Sequence, residues 1–503
     1  MLRPLCIALT AAAILAGPAA ADDFCTLGVP GCSNTYPGVQ AALDAASAHP
    51  GADRVLLGSG TWIGNFQTSG DVTIQGSPDG TVLTQSNYGP GANYPFTLSV
   101  SGASALVRDL RIKLAAGYVP YGLDLQNGAS AQGVTIDGAG AQQAIGLRLG
   151  TNARFSGSVD VPSGNEGATM AAGSVIDGAA IAGAPALVVF AGSGSATVSH
   201  STIVRHASTA VDVASGALTM QDSVVDARAP GAGAAVSTYS SNAALVHRAT
   251  LRNVTLVGHG DEAYSIGIDD RAYAGESVTV DVRDSVVANF GTHALQRMAG
   301  GAADLSLDHV DVFPAADVAQ SGAGTVTSNA VIDTDPAFAA DGFTPTAGSP
   351  LIDAGTPGGL DAAESPVDLA GNPRIVAFGC GNAIRDLGAI EVSGHCDAPT
   401  ALPATDPAAA AATDTTAPTV TKLRLAHRRV VRFALSEAAR VTVSVARPHH
   451  RATVLHRSAL AGAVTLRLRH PLRPGRYSIR VLATDAAGNH STPVVVRGPR
   501  HSE

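Results

Sequence analysis

Aromatic residues are scarce in this 503-residue chain, at 4%, and Trp62 is the single tryptophan. A surface paved with stacking rings is therefore excluded as its main feature. Charged residues are also few, at 15%, while hydrophobic residues reach 45%, which excludes an extended solvated polymer and leaves ample material for a core. Helical periodicity is absent from the body of the chain, and hairpin turns are rare there. Nothing resembles a nucleophilic triad, a phosphate loop or a zinc motif. The "GSGS" at Gly192–Ser195 is a turn, since neither a helix nor a lysine follows it.

What is abundant is Gly, with Val, Thr, Ser and Ala in short alternating runs, a mixture suited to strands and tight turns. The N-terminus has a positive start at Arg3, the apolar "LCIALTAAAILAG" and small residues at Ala19–Ala21, the pattern of a secretory signal over 1–21. That apolar run is too short for a membrane span, and no second candidate follows. Cys6 leaves with the signal, so Cys25, Cys32, Cys380 and Cys396 remain, an even number that in an exported chain suggests disulfides. Three pairings are open, and the local pairs Cys25–Cys32 and Cys380–Cys396 are the simplest.

One pattern recurs. "VTVDVRDSVVANFG" at Val278–Gly291 has relatives at Ala196–Val204, Ala217–Ala227 and Ala249–Gly258. Each alternates apolar residues, reaches Asp, Asn or His, and resumes with Val, Ile or Leu. Aligned on that polar position, the series runs Asp71, Asp109, Gly133, Gly173, His200, Asp222, Asn253, Asp284, His309 and Asn329, with steps from 20 to 40 residues. Period-two alternation, a bend and a second strand within about twenty residues describe one coil of a parallel β-helix, which buries its alternate residues by stacking. Variable step length argues against a propeller. Before the first coil, Val39, Leu43 and Ala46 line one face of a short helix, a cover for the open end.

This helix-then-strand opening resembles the start of pectate-lyase-like β-helix proteins. At the other end, "SPLIDAGTP" (Ser349–Pro357), "DLAGNPRI" (Asp368–Ile375) and "DLGAIE" (Asp386–Glu391) resemble the C-terminal signature of secreted bacterial right-handed β-helix proteins with a choice-of-anchor Q domain. The resemblance implies export and a β-helix upstream, and no reaction. The fold expected is all-β: a right-handed parallel β-helix over 22–396 with an N-terminal helical cap and a C-terminal cap region. A Pro/Ala/Thr linker at 397–417 and a small antiparallel β-sandwich at 418–503 follow. "LRPGRYSIRVLATDAAGNHS" resembles the last hairpin of immunoglobulin-like or fibronectin-type modules.

Charge divides the chain. Residues 418–503 hold 16 Lys and Arg against three Asp and Glu, a net +13; the whole chain is −9, so residues 1–417 carry −22. A basic module points to an anionic partner such as a cell-wall polymer. Only Phe433 and Tyr477 offer rings to bases there, so nucleic acid is not expected.

Three groups are candidate sites. The polar series at the bends brings carboxylates and imidazoles together, though polar residues at a bend also satisfy freed backbone groups, and the structural role is favoured. The insert at Gly258–Ser277 concentrates His259, Asp261, Asp269, Asp270 and Arg271. In lyases of this fold, acidic residues hold calcium against a uronate and a basic residue removes the adjacent proton. By that resemblance Asp261, Asp269 and Asp270 would hold calcium, and Arg271 or His259 would be the base. Two carboxylates there would alternatively serve glycoside hydrolysis. Third, Tyr88, Tyr94, Tyr118 and Tyr121 offer rings for sugar. The triplets Gly258–Gly260 ("GHG") and Arg111–Lys113 ("RIK") occur in the wrong order for polygalacturonases and are chance matches.

The reading favoured by sequence is an exported, non-catalytic cell-surface protein binding polysaccharide or an anionic envelope polymer. The alternative is a lyase or glycosidase acting on acidic polysaccharide, with its site in the 258–277 insert. A purely structural spacer is the third.

Overall fold

The computed structural model describes residues 21–497 except 86–95, 116, 119–120, 163, 239–246, 261–264, 315–318, 363, 377–382, 394–415, 427–429, 438, 447–452, 460–461, 468–477 and 485–488. Two compact units, Met1–Asp397 and Ala398–Glu503, divide the chain.

Among the described residues of the first unit, 27 strands form one continuous array of parallel pairs, in which inner strands bond to their equivalents one coil before and after. This is the parallel β-helix. Val278, Val280 and Val282 point inward with at most 2% exposure, and the same parity repeats from Phe24 to Val312 in a single core. The helix α1 (Val39–Ala48) buries Val39, Ala42, Leu43 and Ala46 against the first coils, and Cys25 is disulfide-bonded to Cys32. Cys380 and Cys396 lie outside the described residues.

Each coil contributes three strands, and the bend between its second and third has a left-handed backbone. Asp109, Gly133, Gly178, His200, Asp222, Asn253, Asp284, His309 and Ala330 occupy it, all with φ between 44° and 62°. A Cβ resists this conformation, and Asp, Asn and Gly tolerate it best. That is the physical reason for the recurring polar residue. The sequence series is corrected at three places: Gly178, not Gly173, and Ala330, not Asn329, occupy this bend, and Asp71 is not left-handed.

The signature segments at 349–391 lie along this bend, on the flank of the coils. Leu351 and Leu387 pack on Val286 and Ala288, while Ala389 packs on Val224 and Val257, all nearly inaccessible to water. Arg374, fully buried, donates to Asp222 Oδ1 at 2.5 Å and pairs with Glu391 at 3.3 Å. Arg385 binds Glu364 at 2.7 Å, and Glu364 accepts from Asn253 Nδ2 at 3.3 Å. The backbone N–H of Thr356 donates to Asp284 Oδ1 at 2.6 Å.

Among its described residues the second unit has antiparallel sheets of three and four strands. They enclose Val431, Phe433, Val441, Val443, Ile479 and Val481, a small β-sandwich. Phe433 is therefore core and not a stacking ring; Tyr477 lies outside the described residues.

Asn253 isolates the two demands on the bend. Asn253→Ala should cost about 2–4 kcal/mol, from lost hydrogen bonds and the left-handed backbone together. Asn253→Gly should cost about 1 kcal/mol less, because glycine accepts that conformation. Urea denaturation of both variants checks this, and equal losses would remove backbone strain from the account.

Candidate functional site

The polar series at the bend is the first candidate, and its centre is closed to solvent. Asp222, Asn253 and Asp284 are fully buried beneath the flanking segment. His200 Nε2 lies 3.0 Å from Ser365 Oγ. These groups hold chain to chain, and no open face remains for a ligand at those three positions. Burial sets the electrostatics here: it raises the Asp222 carboxyl against the pull of Arg374. Burial, with Asp386 and Asp368 adding repulsion, pushes Glu391 up to about 8.

The insert is the second candidate, and period two divides it. Adjacent residues of a strand face opposite sides. Asp269 and Arg271 face outward from Ser265–Ala272, whereas Asp270 faces the interior with 0% exposure. Asp270 Oδ1 accepts from Thr238 Oγ1 at 3.2 Å, and burial pushes its carboxyl up to about 7 against the attraction of Arg297. Arg297 also turns inward and donates to Ala323 O at 2.7 Å. The neighbouring pair Asp269–Asp270 is thus separated by the sheet itself. His259 is exposed at the end of its strand and lines none of the groove described next, and Asp261 lies outside the described residues.

Asp269 and Arg271 border a groove of about 360 Å³ on the outer face of the first sheet, the one formed by the first strand of each coil, together with Thr209, Asp212, Ser237 and Ile266. The register explains its composition. Asp212, Ser237, Asp269 and Gln296 are successive outward positions on neighbouring rungs. Asp269 Oδ1 accepts from Gln296 Nε2 at 2.9 Å, and its Oδ2 lies 2.7 Å from Arg271 Nε. The Asp269 carboxylate in turn raises the Arg271 guanidinium above its usual value. Asp212 has no ion-pair partner among the described residues, and its buried Oδ1 accepts no hydrogen bond. Burial, reinforced by the Glu166 carboxylate, pushes Asp212 up to about 6. Burial likewise raises Glu166.

Sequence reading missed Asp212 and Glu166. The signal was present in "VDV", a lone carboxylate between two inward valines, but it lies outside the insert and away from the bend. The tyrosine platform is not assembled among the described residues. Tyr88 and Tyr94 lie outside them, and Tyr118 is described only as backbone pairing with Gln142. Tyr121 is half-buried, with the Arg148 guanidinium 5.4 Å from its ring centre. Exposed rings stand instead at Phe190 and Tyr273, at 55% and 45%. Among the described residues no group of three or more His, Cys, Asp or Glu is arranged to hold a metal, and no helix is long and apolar enough to cross a membrane.

No family model matches the chain, and no curated protein matches it. Similar solved structures include the pectate lyase Pel9A, at 14% identity and a TM-score of 0.47, covering 75% of this chain and 97% of that one. An alginate lyase from Paenibacillus sp. str. FPU-7 shows 13% identity and a TM-score of 0.30, with 62% and 99% covered. The pectin methylesterase from Aspergillus niger shows 15% identity and a TM-score of 0.25, with 63% and 87% covered.

The raised Glu391 gives a pH test of the flanking segment. A carboxyl whose folded value lies above its unfolded one stabilises fully below the unfolded value, near 4.5, and loses that contribution as pH rises toward 8. Wild type should therefore lose stability relative to Glu391→Gln between pH 5 and pH 8 in parallel thermal melts. Parallel curves across that range would mean that Glu391 does not titrate there.

Proposed function

We propose that this protein is an exported glycoside hydrolase acting on polysaccharide in the groove of the first sheet. Asp212 is the general acid and Asp269 the general base. The observation that carries the reading is the contrast between two outward carboxylates of one groove. Asp212 has no ion-pair partner among the described residues and is pushed up to about 6, so it keeps its proton into mildly acidic solution, while Asp269 is ion-paired with Arg271 at 2.7 Å. Environments that separate two carboxyls in this way divide acid from base.

Their placement suits inversion. Asp212 and Asp269 are two rungs apart, and at about 4.8 Å per rung their backbones are roughly 10 Å apart. Such a span suits the roughly 6.5–9.5 Å of inverting carboxyl pairs, with room for water, better than the roughly 5–5.5 Å of retaining ones. Asp212 gives its proton to the glycosidic oxygen as the C–O bond breaks. Asp269 takes a proton from the water that attacks the anomeric carbon from the opposite side.

Lyase action is the weaker alternative. It needs Arg271 to take up a proton, yet Asp269 raises that guanidinium and keeps it protonated. It also draws on Asp270 for calcium, and Asp270 points into the core. A non-catalytic surface binder would need only the groove and gives no account of the divided carboxyl pair. The Arg-rich second unit adds general attraction to anionic envelope polymer.

Asp212→Asn should lower kcat by about 10²–10⁴-fold while polymer binding persists. Wild-type turnover should fall as pH rises above about 6, because Asp212 then loses the proton it must donate. Proton NMR of the first product should show inverted anomeric configuration. Undiminished turnover in Asp212→Asn would refute the assignment, and a retained configuration would refute the water-mediated mechanism.

A further inference from the structure

The groove belongs to a longer track. Ser99, Asp124, Arg148, Thr169, Val188, Asp212, Ser237, Asp269 and Gln296 follow one another on successive rungs of the outer face. Nine such rungs extend over roughly 38 Å. An extended polymer lying along the coil axis meets one of these side chains per rung.

The charges of this track are spoken for. Arg148 lies 3.7 Å from Asp124, with its guanidinium over Tyr121. Arg271 lies 2.7 Å from Asp269. Both arginines among the described residues of the track thus already have carboxylate partners. What is left over is negative: among the described residues neither Asp212 nor Glu166 has a lysine or arginine within ion-pair distance, and Asp212 Oδ1 is buried without a hydrogen-bond partner. A carboxylate on the polymer would meet repulsion here and would have to displace an existing ion pair.

The rings supply the complementary half. Phe190 is outward and 55% exposed, one rung and two residues from Asp212, or roughly 8 Å between backbones. Tyr273, 45% exposed, follows Arg271 at the end of the same strand region, and Met298, equally exposed, is the next rung's partner of Arg271. Exposed ring and thioether faces beside a polar groove match the apolar faces of a sugar ring, while Ser, Thr and Gln match its hydroxyls.

We propose that the substrate is a neutral polysaccharide laid along this face and stacked on Phe190 and Tyr273, and not a polyuronate. The inference rests on the hydrolase reading only for the location of the site.

Native affinity electrophoresis of the full chain tests it, with soluble β-glucan and xylan as neutral probes, polygalacturonate and alginate as anionic ones, and glycol chitosan as a cationic one. The expected result is retention by at least one neutral polymer that persists in 0.5 M salt, a condition that screens charge, and that weakens about tenfold in Phe190→Ala. Tyr273→Ala should act in the same direction. Retention by polygalacturonate or alginate should vanish in salt and ignore both substitutions, the behaviour of the Arg-rich unit. Retention of an anionic or cationic polymer that depends on Phe190 would overturn the proposal, as would neutral-polymer retention that is absent or indifferent to both rings. If a neutral polymer is held through Phe190 but is not cut, the hydrolase reading fails and this one stands. Asp212→Asn, which should abolish cutting and spare retention, separates the two in the other direction.

Discussion

The left-handed bend between the second and third strands of each coil is the constraint on which the molecule turns. It uses a single residue per coil from His200 to His309. A one-residue corner leaves no freedom in register: the strands on either side must pair with the same parity in every coil, or the inward valines would turn to solvent. Parity then decides everything outward of the core. It places Val224, Val257, Val286 and Ala288 where the flanking segment covers them, and it places Asp212 and Asp269 in one outward line.

The same bend also governs the flank. Asp and Asn are chosen for their backbone tolerance, but they bring polar side chains that cannot be left dry. The segment at 349–391 answers with Arg374 on Asp222, the backbone N–H of Thr356 on Asp284, and Glu364, itself held by Arg385, on Asn253. Burying carboxylates with arginines is at best marginally stabilising, since desolvation nearly cancels the attraction. What the network adds is direction: each of its bonds joins one named residue of the segment to one named position of the bend. The apolar contacts of Leu351, Leu387 and Ala389 supply the adhesion.

This division explains what was legible in the sequence. Coil and core follow from period two and from the polar residue at the bend, and the cap helix from Val39, Leu43 and Ala46 on one helical face, all local signals. Gly173 misled because it is itself left-handed, at φ 73°, but at a different turn of the coil. The flanking segment was recognisable as a resemblance, while its position along the bend depends on contacts across more than a hundred residues, such as Arg374 with Asp222. The groove was half legible. The insert drew attention to Asp269 and Arg271, but density of charge hid the alternation that sends Asp270 inward. Asp212 stood alone in an unremarkable strand and emerged only when register set it two rungs from Asp269.

A stacked coil gains chemistry differently from a globular enzyme. It has no cleft between domains to desolvate a carboxyl, and a single outward residue on a flat sheet stays wet. Two neighbours change that. Glu166 lies near enough in the stack for its charge to reach Asp212, and the turns around Thr209 and Ala232 rise beside it. Asp269, two rungs on, is ion-paired instead, because Arg271 follows it on the same face of its own strand. Period two thus does both jobs: it puts a carboxylate and its arginine together at i and i+2, and it leaves the carboxyl without such a partner to be raised by its surroundings. An outward face can acquire an unequal pair of acids by one substitution in one strand, with the core behind it untouched.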